Sequence, residues 1–427
     1  MENKTYKVLL AHSAQQHSFR TATALEKSGV LFKYITTVYD KKHSLTSFTK
    51  RVLSGDNLTR ANKRRCNSLS DNDVIQFCEF ESLILLLLYR IDKKKNIYNI
   101  WNRFIIYKFN IKVANYAIKN NVDAVIMYDT LAYKTFEILK KKAPHIKRII
   151  DMSAPYSLYM DKIFKIDLQK NNRYSDILRR EICSTQYLNM LDNSIKETKL
   201  ADYFLVASNF TMNSLIYEGV PNSKILMCPY GIDSNIYSYN KKRENMYEEI
   251  RCIFVGTITQ KKGAFYLLEA IKELKHKRFS FMFVGTYDKK SEYYKDFKDI
   301  CKFTGYVTKE KVVDFCSKSD ILIFPSLADG FGLSALEAMS CGLPVICTSN
   351  SGVSDLIING YNGFVINAGN EKEIYEKLMW FDNNRDKLKD MSENARNTSL
   401  KCTWNKYDLC IQKSIEKIRM DAAKDEI

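Results

Sequence analysis

Short apolar runs recur along this chain, each followed by a longer amphipathic stretch, and the alternation happens in two series. Parallel strands cannot be joined by tight turns, so this spacing predicts parallel α/β architecture with helical crossovers. The first series is "YKVLLA" from Tyr6, "VIQFCEF" from Val74, "DAVIMY" from Asp123, "RIID" from Arg148, "YFLVAS" from Tyr203 and "KILMCP" from Lys224. Helical stretches such as "TFEILKKK" and the long "ILRREICSTQYLNMLDNSIKETKLAD" lie between them, and the basic segment Lys41 to Leu69 reads as a long excursion or mobile loop. A polar stretch, "SNIYSYNKKRENMYEE", then separates the second series: "RCIFVG", "FSFMFVG", "KFTGYV", "ILIFPS" and "PVICTS", with "AFYLLEAIKEL" and "KEKVVDFCSKS" as helices. A chain of 427 residues exceeds the size at which one core stops growing. We therefore expect two doubly wound domains facing each other across a cleft, 1–235 and 236–395. A terminal helix in 396–427, amphipathic around Trp404, Tyr407, Leu409, Ile411 and Ile415, is expected to pack back on the body.

Composition narrows the classes. Eleven cysteines are scattered without a Cys-x-x-Cys pair, which fits neither a disulfide framework nor a zinc site and points to a reducing cytosol. The start, "MENKTYKVLLAHSAQQHSFR", reads as a polar tip and a strand rather than a secretory leader. The longest apolar run, Leu83 to Leu88, is far short of the roughly 20 residues that span a bilayer. The net charge of +17 is lopsided: residues 1–235 hold 36 Lys and Arg against 22 Asp and Glu, the remainder 30 against 27. An anionic partner for the first half fits this imbalance, whether a phospholipid surface, a phosphorylated acceptor or nucleic acid, and so does a plain lysine-rich solvated face.

The chemistry concentrates in "DGFGLSALEAMSCGLPVICTS", Asp329 to Ser349. Gly330 and Gly332 let the chain turn sharply out of the strand "ILIFPS", and Ser334 with Glu337 has the spacing of a helix capping box. The helix thus starts at the carboxyl end of a parallel strand, where open α/β sheets bind ligands, and its free N–H groups suit a phosphate. Taken singly, Asp329 is a turn residue and Glu337 a cap.

Together the segments resemble a family. "FPSLADGFGLSALEAMSCGLPVICTSNSGVSDLI" resembles the signature of family 4 retaining glycosyltransferases of the GT-B fold (glycosyl transferases group 1). Three other segments stand in that family's order: "ASNFTMNSLIYEGVPNSKILMCPYGID", "FVGTITQKKGAFYLLEAI" and "TWNKYDLCIQKSIEKI". The likeness is close over roughly residues 200–415 and only outlined before that. It implies a transferase that moves a sugar from a nucleotide-sugar to a glycan or lipid-linked acceptor in polysaccharide or glycoconjugate synthesis. The implied donor carries uridine rather than guanosine, and no metal or other cofactor is implied.

The resemblance also implies roles. Glu337 would hold the ribose hydroxyls, and Asp329, where the family usually has glutamate, would sit beside the donor sugar. The N–H groups of Gly332, Leu333 and Ser334 would hold the diphosphate, with Lys262 stabilising the departing nucleotide. Thr257 stands where many members have arginine, so Lys261 is a candidate for that phosphate contact, and Val307 would lie near the base. Asp151, in "IIDMSAPY", occupies the place of a histidine near the donor sugar and is a third catalytic candidate. His12, His17 and Arg20, in "AHSAQQHSFR", replace the family's glycine-rich turn, and Asp129 ends another strand. The first domain would bind the acceptor from the cytoplasm, with a peripheral position at the inner face of a membrane as a corollary of its charge. Competing readings are a nucleotide-sugar epimerase on the same fold, a non-catalytic relative, and a nucleic-acid-binding protein. The dispersed basic residues and lack of a glycine-aromatic signature speak against the last.

Overall fold

The computed structural model describes residues 6–170, 174–237, 239, 249–274 and 278–425. The first series of strands and helices runs β1 (Val8–Ala11), α1 (Ser18–Lys27), β2 (Leu31–Thr36), α2 (Leu45–Lys50), α3 (Gly55–Asn62), β3 (Val74–Gln76), α4 (Glu79–Ile91), α5 (Asn96–Lys119), β4 (Ala124–Tyr128), α6 (Tyr133–Lys142), β5 (Lys147–Met152), α7 (Ser157–Gln169), α8 (Asp176–Ile182), α9 (Thr185–Leu200), β6 (Tyr203–Val206), α10 (Asn209–Tyr217) and β7 (Ile225–Met227). The second runs β8 (Ile250–Val255), α11 (Ala264–Glu273), β9 (Phe279–Val284), α12 (Glu292–Phe297), β10 (Cys301–Gly305), α13 (Lys309–Ser317), β11 (Ile321–Phe324), α14 (Leu333–Ser340), β12 (Val345–Thr348), β13 (Gly363–Ile366), α15 (Glu371–Asn383), α16 (Leu388–Leu400) and α17 (Trp404–Asp425).

The strands form two sheets, in the orders β3-β2-β1-β4-β5-β6-β7 and β10-β9-β8-β11-β12-β13. Every pairing within them is parallel. Each order reverses once, between β1 and β4 and between β8 and β11. A crevice opens at the carboxyl ends of the strands at such a reversal, because the following loops diverge to opposite faces. The loops after β1, β4, β8 and β11 are therefore where ligand chemistry belongs.

Three expectations need correction. Lys41 to Leu69 is not a bare loop but carries α2 and α3. The Ser44 side chain caps α2 by accepting the Ser47 N–H at 3.0 Å, and Glu79 accepts both the N–H and the hydroxyl of Thr46. The stretch from Ile177 is two helices, broken where Ser184 caps α9 by accepting the Tyr187 N–H at 3.2 Å. The strand pattern also missed β2, interrupted by Lys33, and the four-residue β13. The polar stretch read as a linker lies outside the described residues at 238 and 240–248.

The cores do not respect the border between the sheets. Phe164 and Leu168 of α7, Leu178 and Ile182 of α8, and Tyr187 of α9 share one buried cluster with Phe265 and Leu268 of α11. Buried Asp167 on α7 accepts the Tyr266 hydroxyl and, at 2.7 Å, the Gln260 amide. From the other end, α17 returns across α1: Tyr407, Ile411, Ile415 and Ile418, spaced by three or four residues on one face, are nearly or wholly excluded from solvent. Truncating Ile411 leaves a hole that rigid neighbours cannot fill. Ile411→Ala should lower unfolding free energy by about 2–5 kcal/mol, read from chemical denaturation. A loss below about 0.5 kcal/mol would mean that α17 is not held by this seam.

Candidate active site

The loop from β8 to α11 must double back under β11 to open the helix. Gly263 makes that possible: its φ is +67°, and a Cβ there would stand 1.7 Å from the Pro325 carbonyl oxygen. Lys262, one residue earlier, reaches out of this turn and forms an ion pair with Asp329, which follows β11. The Asp329 loop is itself fixed on both sides. Its N–H donates to the Asn350 carbonyl at 2.9 Å, its carbonyl accepts from Gly352 at 3.2 Å, and its carboxylate accepts the Phe331 N–H at 3.3 Å.

The next residue, Gly330, joins the two halves. A Cβ on Gly330 would meet the Ser153 carbonyl oxygen at 2.6 Å, so the loop after β5 lies directly against it. The Gly330 carbonyl accepts the hydroxyls of Ser208 at 2.6 Å and Thr211 at 3.2 Å, from the start of α10. Beside them, the Asn209 N–H donates to Asp355 at 2.8 Å. Sequence reasoning passed over Ser208 and Thr211, although "SNFT" has the form of a helix cap.

The capping box expected at Ser334 and Glu337 is absent. Gly332, at φ +85°, occupies the cap of α14, with no side-chain capping bond, and Ser334 lies inside the first turn. The N–H groups of Gly332, Leu333 and Ser334 thus stand at the open start of the helix, where no intrahelical carbonyl reaches them. Glu337 is released from capping and turns elsewhere: its Oε1 accepts the Tyr237 hydroxyl at 2.6 Å and lies 3.2 Å from the Lys309 ammonium. Burial, reinforced by that carboxylate, pushes the Tyr237 phenol far above its ordinary range, so it is a donor at any physiological pH. Neither Tyr237 nor Lys309 belongs to a motif that would have announced it.

The remaining candidates separate. Thr257, after β8, lies exposed beside Thr286, their hydroxyls 3.4 Å apart. Lys261 is drawn away: its ammonium pairs with Glu181 at 2.6 Å and lies over the rings of Phe164 and Tyr187. Val307 is half-buried just past β10. Asp151, near the end of β5, is buried and faces into the first domain, where it accepts the Thr21 hydroxyl at 3.1 Å and sits 3.0 Å from His17 Nε2. Tyr230 holds the same imidazole at 3.1 Å, and its ring packs on Phe331 of the glycine turn. Asp151 is therefore placed to orient His17. Arg20 lies over the Trp404 ring, 4.7 Å from its centre. Asp129 is enclosed and takes the N–H and hydroxyl of Ser153 at 2.8 and 2.6 Å; burial raises its carboxyl. Among the described residues no cluster of three His, Cys, Asp or Glu could hold a metal ion.

His12 follows β1 directly, with its Nδ1 accepting the Ala14 N–H at 2.7 Å, a bond that shapes the loop leading to His17. Burial pulls the His12 imidazole from its ordinary 6.5 down to about 4. The folded chain thus binds fewer protons here than the unfolded chain. The associated stability is complete above about pH 6.5 and declines as pH falls toward about 4, with a slope of at most ~1.4 kcal/mol per unit. His12→Asn keeps an acceptor for Ala14 without the titrating ring and should flatten this limb in denaturation midpoints measured against pH. An unaltered limb would assign the acid loss to other groups.

Known proteins give the site its context. Residues 238–398 match the family model for glycosyl transferases group 1. An uncharacterised glycosyltransferase of Methanocaldococcus jannaschii is 30% identical over 244 residues, 54% of this chain and 65% of that protein. The amylovoran biosynthesis glycosyltransferase AmsK of Erwinia amylovora is 26% identical over 191 residues, 42% of this chain and 47% of its own. The alignments thus span between about half and two-thirds of these relatives' length. Among solved structures, Anabaena HepE in complex with UDP superposes with a TM-score of 0.62 at 14% identity, covering 96% of this chain and all of that one. The two parallel sheets and their crossed-over terminal helix are those of the GT-B fold, and the half that carries Lys262, Asp329 and Glu337 is the half that matches glycosyl transferases group 1.

Proposed function

We propose that the chain is a glycosyltransferase of polysaccharide or glycoconjugate synthesis, moving a sugar from a uridine nucleotide-sugar to a glycan or lipid-linked acceptor with retention at the anomeric carbon and without a metal ion. One observation carries this reading. Lys262, Asp329 and the open start of α14 converge at the reversal of the second sheet, with Glu337 on the same helix. The match of residues 238–398 supports the transferase reading, and the UDP bound by HepE, a protein of the same fold, is what favours a uridine donor.

Breaking the bond from sugar to diphosphate builds negative charge on phosphate oxygen and positive charge at the anomeric carbon. Lys262 and the N–H groups of Gly332, Leu333 and Ser334 meet the first charge; Asp329 meets the second. Their ion pair holds the lysine extended in the absence of donor, and the diphosphate then competes with Asp329 for it. Both contacts to Glu337 fall on Oε1, which leaves Oε2 for ribose hydroxyls. In the transfer, the anomeric carbon loses its bond to the β-phosphate oxygen and gains one to the acceptor oxygen on the same face. The acceptor's proton passes to the departing phosphate. Thr257 supplies no charge and Lys261 is engaged by Glu181, so Lys262 is the principal side-chain cation for the diphosphate.

The three side chains should separate in measurement. Glu337→Gln should weaken nucleoside diphosphate affinity by roughly 1.5–3 kcal/mol, because charge-assisted hydrogen bonds are lost. Asp329→Asn should not weaken that affinity, and should raise it as far as the diphosphate no longer competes for Lys262, while lowering turnover, since its partner in the transfer is the sugar. Lys262→Ala should lower both, with turnover down on the order of 10² to 10³. Calorimetry with the nucleotide beside turnover of the nucleotide-sugar, with and without chelator, checks each. Normal turnover in Asp329→Asn, or donor binding abolished by chelator, would overturn the reading.

A further inference from the structure

The surface of the first domain carries an anomaly that the cleft does not use. Large apolar side chains exposed to solvent occur singly over most of the molecule, but 12 of the 26 described fall between Leu45 and Tyr107. Helix α4 is the centre. A surface helix normally shows one apolar stripe, yet "EFESLILLLLYRI" is apolar nearly all round, and Ser82 is its single buried residue. Leu87 and Ile91 are 56% and 63% exposed. Helix α5 continues the patch, with Ile97 and Ile100 at 61% and 63%, and becomes buried only from Ile105 onward. Contiguous apolar patches of this kind on a protein surface mark an interaction site.

The two helices form a stiff hairpin. The Trp101 indole donates to the Glu81 carbonyl at 2.9 Å, Lys108 pairs with the Glu81 carboxylate, and Asp92 accepts the Tyr98 N–H at 2.9 Å. Its tip is "RIDKKK", and Lys93 and Lys94 have no carboxylate partner among the described residues. Beside α4, the α2–α3 excursion adds a recess of about 750 Å³ lined by Lys42, Lys50, Arg51 and Arg65; Lys50 pairs with Asp40 and Arg65 with Asp71, so Lys42 and Arg51 carry its net charge. Apolar side chains ringed by cations suit one partner class: an interface that is oily within and anionic at its rim.

Topology puts the hairpin on the working side of the domain. Helix α5 runs back to the start of β4, so its buried carboxyl half lies along the sheet and its amino half projects past the carboxyl edge. At 24 residues it is about 36 Å long, whereas the five residues of β4 span about 17 Å. The loops bearing His12 and Asp129 leave the sheet at that same edge, where Asp151 stands near the end of β5. No described helix is long and apolar enough to cross a bilayer.

We infer that the α4–α5 hairpin docks on an anionic lipid bilayer, its apolar face entering the headgroup region and Lys93 and Lys94 meeting lipid phosphates. The docking requires no donor, so it can be tested apart from the glycosyl-transfer reading. The full chain is sedimented with vesicles of phosphatidylcholine alone or mixed with phosphatidylglycerol, at low and high salt. Co-sedimentation with the mixed vesicles that falls as salt rises is expected. Leu87→Glu with Ile100→Glu should abolish it, and Lys93→Glu with Lys94→Glu should weaken it by tenfold or more, since each basic residue contributes about fivefold. Both variants should retain the thermal shift on adding nucleoside diphosphate, which reports an intact second domain; the lysine pair, at an exposed tip, tests the idea even if the apolar variant fails to fold. Equal partition onto neutral and mixed vesicles, or undiminished binding of the lysine variant, would overturn the inference. So would light scattering that finds a dimer of the native chain dispersed by Leu87→Glu, because a second copy would then cover the patch.

Discussion

The carbonyl of Gly330 is the point on which the arrangement depends. It accepts two hydroxyls from the first domain, at 2.6 and 3.2 Å, while its α-carbon lies too close to the Ser153 carbonyl to carry a side chain. Neighbours on either side have chemical tasks: Asp329 holds Lys262, and Phe331 supports Tyr230, which steadies His17. Two sheets whose buried clusters run across their border are thereby registered at one peptide unit, and groups from both arrive at a common edge.

Electrostatics at this edge is arranged by burial as much as by pairing. Lys262 and Asp329 remain partly accessible and can exchange partners when a charged ligand arrives, because water screens the cost of separating them. Asp151 and Asp129 are enclosed and committed to protein donors, the first to Thr21 and the second to Ser153. A carboxylate so committed shapes its surroundings; the exposed pair is the one suited to meet a substrate. Glu337 lies between these cases, anchored through one oxygen by Tyr237 and Lys309.

The fold was legible because its signals are local and repeated. Each apolar run is four to seven residues, each crossover is amphipathic, and parallel pairing leaves few topologies for such a chain. Where the signal is weak, reading failed: Lys33 disguised β2, and the excursion at Lys41 to Leu69 owes its helices to caps and to Glu79, which lies beyond it in sequence. The site was legible for another reason. Lys262, Asp329 and Glu337 sit at fixed short spacings from glycines that the turns after β8 and β11 require, and that spacing is itself the motif.

The sequence by itself determined most of the strands, β2 and β13 apart, that they would be parallel, and which acidic and basic residues would stand at their carboxyl ends, since hydrophobic period and turn chemistry are properties of neighbours in the chain. Only the tertiary structure decided what those residues touch. Serine at 334 and glutamate at 337 spell a capping box, yet Gly332 takes the cap and Glu337 turns to Tyr237 and Lys309, 100 and 28 positions away. Lys261 and Lys262 are adjacent in sequence and part company in space, one to Glu181 and one to Asp329. Side-chain partners are chosen by what packing brings within 3 Å, and a chain bent through two sheets and a returning helix brings together residues that no local pattern connects.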